Sequence, residues 1–106
     1  MDITTTESLP GRRITAVKGV AVGSTVRTKN IGKDIGAGLK SLIGGELKSY
    51  SAMLVEARSE ALSRMEAQAT ELGADAAVNL RFMTSAVASG ASEILAYATA
   101  VTTEPV

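Results

Sequence analysis

The sequence predicts an α+β fold in which one long helix lies on an antiparallel sheet, in the order β-α-β-β. Apolar residues recur at helical spacing from Ser49 to Leu72, and residues rich in Val, Ile and Thr roughly alternate over Arg12–Val26, Ala76–Val87 and Ser92–Thr103. That helix spans about 36 Å, and a strand of about twelve residues reaches about 40 Å. The helix can therefore lie along the sheet in a two-layer sandwich, which we expect to be a single domain over residues 1–106.

The first long strand follows a short opening segment, Ile3 to Thr6, and a turn signal at Leu9-Pro10-Gly11. Lys18-Gly19 interrupts its alternation, and a glycine inside a strand often marks a bulge or a bend. We therefore expect a strand from Arg12 to Val26 with an irregularity at Lys18-Gly19.

A short helix is predicted between this strand and the long helix. Asn30 is a suitable N-cap, and Gly44-Gly45 ends the segment. The apolar residues between them recur at helical spacing: Ile31, Ile35, Leu39, Leu42 and Ile43. Gly36 and Gly38 each cost about 1 kcal/mol relative to Ala in a helix, so we expect them where the backbone packs closely against a neighbour.

The long helix carries one apolar stripe and one polar face. The stripe comprises Tyr50, Met53, Leu54, Ala57, Ala61, Met65 and Leu72, widened on one side by Val55, Leu62 and Ala69. Gln68 falls near the middle of the stripe, so it needs hydrogen-bond partners if it is buried. Gly73 is predicted to end the helix as its left-handed C-cap.

The last two strands, joined by Ala88-Ser89-Gly90-Ala91, predict self-association. In the final strand Ile94, Ala96, Ala98 and Ala100 form one face, and Leu95, Tyr97 and Val101 form the other. One layer of helices covers a single face of a sheet, and a sheet of about three long strands leaves two edges exposed. Because both faces are apolar, we expect another copy of the chain to cover the second one.

Composition excludes several kinds of chemistry. The chain has no Cys, and therefore no disulfide, thiolate ligand or Cys nucleophile; it has no His, the usual acid/base group near neutral pH and the commonest transition-metal ligand. No apolar run approaches the roughly 20 residues that span a bilayer. The N-terminus lacks the basic start and the apolar stretch of a signal peptide. These features predict a cytoplasmic protein with no membrane partner.

Charge is balanced over the whole chain but uneven along it. Residues 1–48 hold eight Lys and Arg against four Asp and Glu, whereas residues 49–106 hold three against seven. Two solvated faces explain this distribution, and so do opposite-sign surfaces that favour head-to-tail contacts between copies. A nucleic-acid partner is not expected, because the sequence has no dense basic patch interleaved with aromatic residues.

The glycine-rich section from Gly32 to Gly45 lacks the Gly-Lys-Ser/Thr ending of a phosphate loop. Close packing of helices explains the glycines; anion capture at the helix start, beside Lys29 and Lys33, is the alternative. No His can activate a Ser nucleophile and no Gly-x-Ser-x-Gly elbow occurs. A Ser–Lys dyad stays open, but no catalytic residue is assigned.

Three acidic residues outside the polar face of the long helix are the candidate ligands for a divalent metal ion: Asp34, Glu46 and Asp75. Carboxylates suit hard cations. Each also has a local role, at a helix start, in the break between the helices and in the turn after the long helix, respectively. Met53, Met65 and Met83 could ligate a soft metal, but the first two fall on the apolar stripe, where packing explains them. No other cofactor is expected.

A set of segments spread over the chain matches the pattern of one known family. They are Gly32-Lys-Asp-Ile-Gly-Ala-Gly-Leu-Lys-Ser-Leu-Ile-Gly-Gly-Glu46, then Tyr50, Ala57-Arg58, Ala61, Met65 and Ala69, then Leu72-Gly-Ala-Asp-Ala-Ala-Val78, with Gly19-Val20-Ala21-Val22-Gly23 and Ala98-Thr99-Ala100-Val101. Together they resemble the YbjQ family, small bacterial proteins whose label refers to heavy-metal binding.

This resemblance implies a β-α-β-β subunit of dodecin-like fold, assembled into a homopentameric ring, and it implies no established activity. We therefore expect a non-enzymatic, ring-forming homo-oligomer that binds a small ligand or ion in clefts between its subunits. The alternative is a divalent-metal-binding protein that uses carboxylate ligands. An enzyme with a Lys- or carboxylate-based site would instead require a polar cleft holding a lysine or acid with a strongly shifted pKa.

Overall fold

The fold consists of one long helix packed on a four-stranded sheet. The computed structural model describes residues 1–28 and 45–106, with side chains from Tyr50 onward in the second range. The elements are β1 (Asp2–Ile3), β2 (Arg12–Thr28), α1 (Gly45–Glu71), β3 (Ala76–Ala88) and β4 (Ala91–Pro105). The predicted α+β class and the four predicted long elements are confirmed, with bounds that differ by a few residues. The short helix predicted from Asn30 to Ile43 lies outside the described residues.

The sheet is mixed, with the strand order β1-β3-β4-β2. The three long strands pair antiparallel, as predicted. The very short β1 adds to the outer side of β3 in parallel, with Asp2 opposite Ala76 and Ile3 opposite Ala77. Two residues are too few to show a periodicity, so the sequence indicated an opening segment there without its pairing partner or direction.

An irregularity in β2 lies where the sequence predicted it. The register between β2 and β4 shifts between Val17 and Gly19, and again between Ile14 and Ala16. Gly19 has a φ of +136°, a conformation that side-chain-bearing residues rarely adopt. The glycine therefore allows the extra residue that bends the strand.

The core is a thin layer of small side chains between α1 and the sheet. The helix contributes Ala57, Ala61, Met65 and Ala69, and the sheet contributes Ala21, Ala77, Leu80, Ile94, Ala96, Ala98 and Ala100. Small residues allow a helix backbone to approach a sheet closely, so the contact gains dispersion energy over a large area. The predicted stripe is confirmed except at Val55, which is 56% exposed.

The polar side chain of Thr25 is buried in this layer and has a hydrogen-bond partner there. The hydroxyl of Thr25 on β2 donates to the backbone carbonyl of Ala57, at 3.2 Å. The bond links β2 to the middle of α1 and removes the desolvation penalty that an unpaired hydroxyl would carry.

The helix ends as the sequence predicted. Gly73 has a φ of +84°, the backbone N–H of Gly73 donates to the carbonyl of Thr70, and that of Ala74 donates to the carbonyl of Ala69. These two bonds form a Schellman motif, which turns the chain sharply into β3. No helix within residues 1–28 or 45–106 is long and apolar enough to span a membrane.

Candidate self-association surface

The sheet face opposite α1 is apolar, and it is only partly covered by the chain itself: Leu9 packs against the buried Ala76, Val78 and Val101 at one end, and the rest of the face carries exposed apolar residues. Alternate residues of β2 project onto it and stay exposed, with Val17 at 68%, Val20 at 64% and Val26 at 55%. Its apolar members are Val17, Val20, Val22 and Val26 on β2, Met83 on β3, and the half-buried Leu95 and Tyr97 on β4. These seven residues are called the open face below.

The strand register makes the open face continuous across three strands. Tyr97 lies opposite Val22 on β2 and opposite Arg81 on β3, and Leu95 lies opposite Met83 in the next row. Directly opposed side chains in a sheet have Cβ atoms about 4.5–5.5 Å apart. The valines, the leucine and the tyrosine ring therefore form one surface.

Few charges accompany this surface. On this side of the sheet, from the position of Val101 to that of Glu93 along β4, the charged residues in the described part of the chain are Arg81 and Glu93. The Nη1 of Arg81 donates to the carbonyl of Thr5, at 3.0 Å, and to that of Leu80, at 2.8 Å. The guanidinium is thereby held toward the N-terminal segment, so a partner could cover the centre of the open face with little desolvation of charge.

Asp75 is the one metal-ligand candidate whose side chain the structure describes, and it makes a local structural contact. Its Oδ1 accepts from the hydroxyl of Thr103, at 3.0 Å, and its Oδ2 accepts from the backbone N–H of Thr103, at 3.2 Å. The same hydroxyl oxygen accepts from the Nε of Arg12, at 2.7 Å. The carboxylate therefore ties the turn after α1 to β4, in agreement with the turn role considered from the sequence.

The other two candidates are not brought together with Asp75 in the described part of the chain. Asp34 lies outside the described residues, and Glu46 lies in α1 but its side chain is also outside them. Within the described ranges, no three Asp or Glu residues form a group that could hold a metal ion. The anion site considered beside Lys29 and Lys33 falls in the segment that is not described.

The outer edge of β2 is blocked by side chains from α1. The backbone N–H of Val22 donates to the Oε1 of Gln68, and the carbonyl of Ser24 accepts from the Nη1 of Arg64, at 2.7 Å. These bonds occupy backbone groups that an added strand would need. The sequence indicated that Gln68 would need a partner if it were buried; it is exposed, and it nevertheless accepts a hydrogen bond from the edge of a strand.

Opposite charges from the two halves of the chain pair within a single subunit. Arg13 contacts Glu104, and Arg27 contacts Glu60, which also pairs with Arg64 four residues later in α1. Exposed pairs of this kind are worth about 0–1 kcal/mol each. Because part of the charge asymmetry is neutralised inside the subunit, it gives only limited support to head-to-tail contacts.

The described residues define a class of protein: a small α+β fold with a long helix on one face of a mixed sheet and an apolar surface on the other. Residues 1–104 match the YbjQ family model, which is described as "Putative heavy-metal-binding". The chain therefore belongs to the YbjQ family, as the resemblance predicted.

Relatives from distant organisms match almost the whole chain. A UPF0145 protein of Methanoculleus marisnigri is 57% identical over 105 residues, covering 99% of this chain and 98% of that protein. A UPF0145 protein of Vibrio campbellii is 52% identical over 101 residues, covering 95% and 97%. The crystal structure of a DUF74-family protein of unknown function from Pediococcus pentosaceus is similar in fold, with a TM-score of 0.66, 18% identity and 98% of each chain covered.

Proposed function

We propose that this protein is a non-enzymatic homo-oligomer whose copies pack on one another through the open face and close into a ring. The observation that carries the proposal is the open face itself, in which valines 39–68% exposed share one side of the sheet. An apolar surface of this kind, with few charges, is typical of a protein–protein contact.

A second copy is the partner that best fits the surface. The helix covers one face of the sheet, so the valines of the other face stay exposed unless another molecule packs on them. When the open face of one copy packs against a different surface of the next, each copy is rotated relative to its neighbour by a fixed angle. The assembly closes into a ring if a whole number of these rotations makes a full turn. The homopentamer implied by the resemblance to the YbjQ family supports that form, and clefts between its subunits would hold a small ligand or an ion.

Light scattering after size exclusion tests the assembly. Val20→Lys places a charge in the open face and is expected to lower the mass of the particle at least twofold. Val55→Lys is the matched control, because Val55 is also an exposed valine, 56% against 64%, but lies on α1. The proposal is wrong if wild-type protein and Val20→Lys have the same mass at micromolar concentration.

The metal-binding alternative comes from the description of the family model, and the donor set of this chain does not fit a heavy metal. The sequence has neither Cys nor His, which supply the thiolate and imidazole ligands that such ions prefer. Asp75 is hydrogen-bonded to Thr103 through both carboxylate oxygens. What remains is a hard-cation site formed by Asp34 and Glu46 together with Asp75 between packed copies.

Thermal unfolding with and without metal separates the two functions. A ligand present at 100 times its Kd stabilises a protein by about 2.7 kcal/mol, so a real site would raise the melting temperature by several degrees. We expect no shift with Zn²⁺, Mn²⁺, Ca²⁺ or Mg²⁺. A shift that Asp75→Asn abolishes would establish the metal site instead, and calorimetric titration with anionic metabolites tests the interfacial ligand.

A further inference from the structure

The outer edge of β3 is paired only over its first residues. The backbone N–H of Thr4 donates to the carbonyl of Ala77, at 3.0 Å, and the N–H of Leu80 donates to the carbonyl of Thr4, at 2.9 Å. Together with β1, these bonds cover β3 as far as Leu80. From Arg81 to Ala88 no strand among the described residues lies on that side of β3.

This stretch lacks the features that normally protect an edge strand. Residues 82–88 contain no charged residue and no proline, and the guanidinium of Arg81 is held toward the N-terminal segment. A long, uncharged edge with exposed Phe82, Met83 and Val87 readily accepts another strand. The outer edge of β2 differs, because Gln68 and Arg64 occupy its backbone groups.

We propose that the edge of β3 at residues 81–88 pairs antiparallel with the same edge of a second copy, across a two-fold axis. The stretch is self-complementary because residues 82–88 carry no like charges to oppose one another. Pairing with β2 of another copy is disfavoured by the blocked backbone groups of Val22 and Ser24. A symmetric contact also uses the free edges of both copies at once.

This contact shares Met83 with the open face, but its backbone pairing can be tested at positions on the other side of the sheet. Thr84 lies opposite Ile94 and Ala86 lies opposite Ser92, and Ile94 packs against α1. Both positions are therefore on the helix side of the sheet. Changes there alter the edge while leaving the apolar residues on the other side untouched.

Charge insertion gives the first measurement. The double variant Thr84→Lys/Ala86→Lys is expected to halve the particle mass measured by light scattering. Ser63→Lys is the control, because Ser63 lies on the exposed side of α1, away from the edge of β3 and from the open face, and it should leave the mass unchanged. Val20→Lys should still form dimers through the β3 edge, so monomers of that variant would overturn the edge contact while leaving the open-face contact standing.

Single cysteines give the second measurement, in a chain that has none of its own. Opposed residues in an antiparallel pair have Cα atoms about 4.5–5.5 Å apart, within the range that a disulfide bridges. Four single-cysteine variants are compared: Thr84→Cys, Ser85→Cys, Ala86→Cys and Val87→Cys. We expect one of them to form disulfide-linked homodimers faster than the others, at a rate at least tenfold that of Thr28→Cys. Equal cross-linking at all four positions would overturn the proposal, because an antiparallel two-fold contact places only the residue nearest the axis beside its own copy.

Discussion

Gly23 on β2 lies so close to α1 that a Cβ atom on it would overlap the carbonyl oxygen of Ala61 and the backbone nitrogen of Met65. The helix axis is therefore held against the sheet at a distance that only a glycine permits. This approach buries the alanines that face one another across the two layers to 3% exposure or less.

Gly23→Ala is expected to destabilise the fold by about 1–3 kcal/mol, because backbone atoms cannot move aside as a flexible side chain can. Urea unfolding at a fixed protein concentration measures this. Gly11→Ala is the control, because no atom lies within 4 Å of the added Cβ. Gly11 has a φ of +78°, so the substitution should lower the free energy of unfolding only by the conformational strain, about 1 kcal/mol. Equal costs for the two variants would contradict a steric origin at Gly23.

Gln68→Ala is expected to increase aggregation, because it frees the backbone N–H of Val22 at the outer edge of β2. Turbidity and thioflavin fluorescence at raised concentration measure the effect, and Arg64→Ala should act in the same direction by freeing the carbonyl of Ser24. Ser63→Ala, on the exposed side of α1, is the control and should change neither signal. Aggregation no faster than that of the control would show that these bonds do not protect the edge.

Two methionines with opposite burial should give opposite results. Met65 on α1 is fully buried against the sheet, and Met83 on the open face is 54% exposed. Met65→Ala is expected to lower the free energy of unfolding by about 2–5 kcal/mol through the cavity that it leaves. Met83→Ala should instead lower the particle mass at limiting concentration. If Met83→Ala affects neither mass nor unfolding, Met83 takes no part in contacts between copies.

Asn79 has a φ of +56°, at the register shift between β3 and β4. The left-handed conformation costs most residues about 1–2 kcal/mol, but Asn and Gly adopt it readily. Asn79→Val should therefore destabilise the protein by about 1–2 kcal/mol, while Asn79→Gly should stay within about 0.5 kcal/mol of the wild type. The side chain of Asn79 is exposed. A large loss of stability in Asn79→Gly would therefore indicate that a side-chain contact, rather than the backbone conformation, explains the asparagine at this position.

The elements and the open face were largely predictable from local spacing. The alternation of Ile94, Ala96 and Ala98 with Leu95 and Tyr97 indicated two apolar faces on β4, and the structure places the first set under α1 and the second opposite it. The acidic candidates were less predictable. Asp75 has the residue type of a metal ligand, but its bonds to Thr103 join positions 28 residues apart, and no local pattern shows such a contact.

The sequence alone specifies where the long helix, the three long strands, the bulge at Gly19 and the helix end at Gly73 occur. The repeat of apolar residues every 3.6 residues in a helix and every second residue in a strand, and the preference of glycine for positive φ, depend only on residues that are near one another in the chain. The tertiary structure decides how α1 sits across the sheet, mainly over β2 and scarcely over β3. That placement leaves Val55 exposed and brings Gln68 to the edge of β2, and no strand within residues 1–28 or 45–106 covers the edge of β3 beyond Leu80. Its physical cause is the close approach of backbones at Gly23 and Ala61, a contact between residues that only folding brings together.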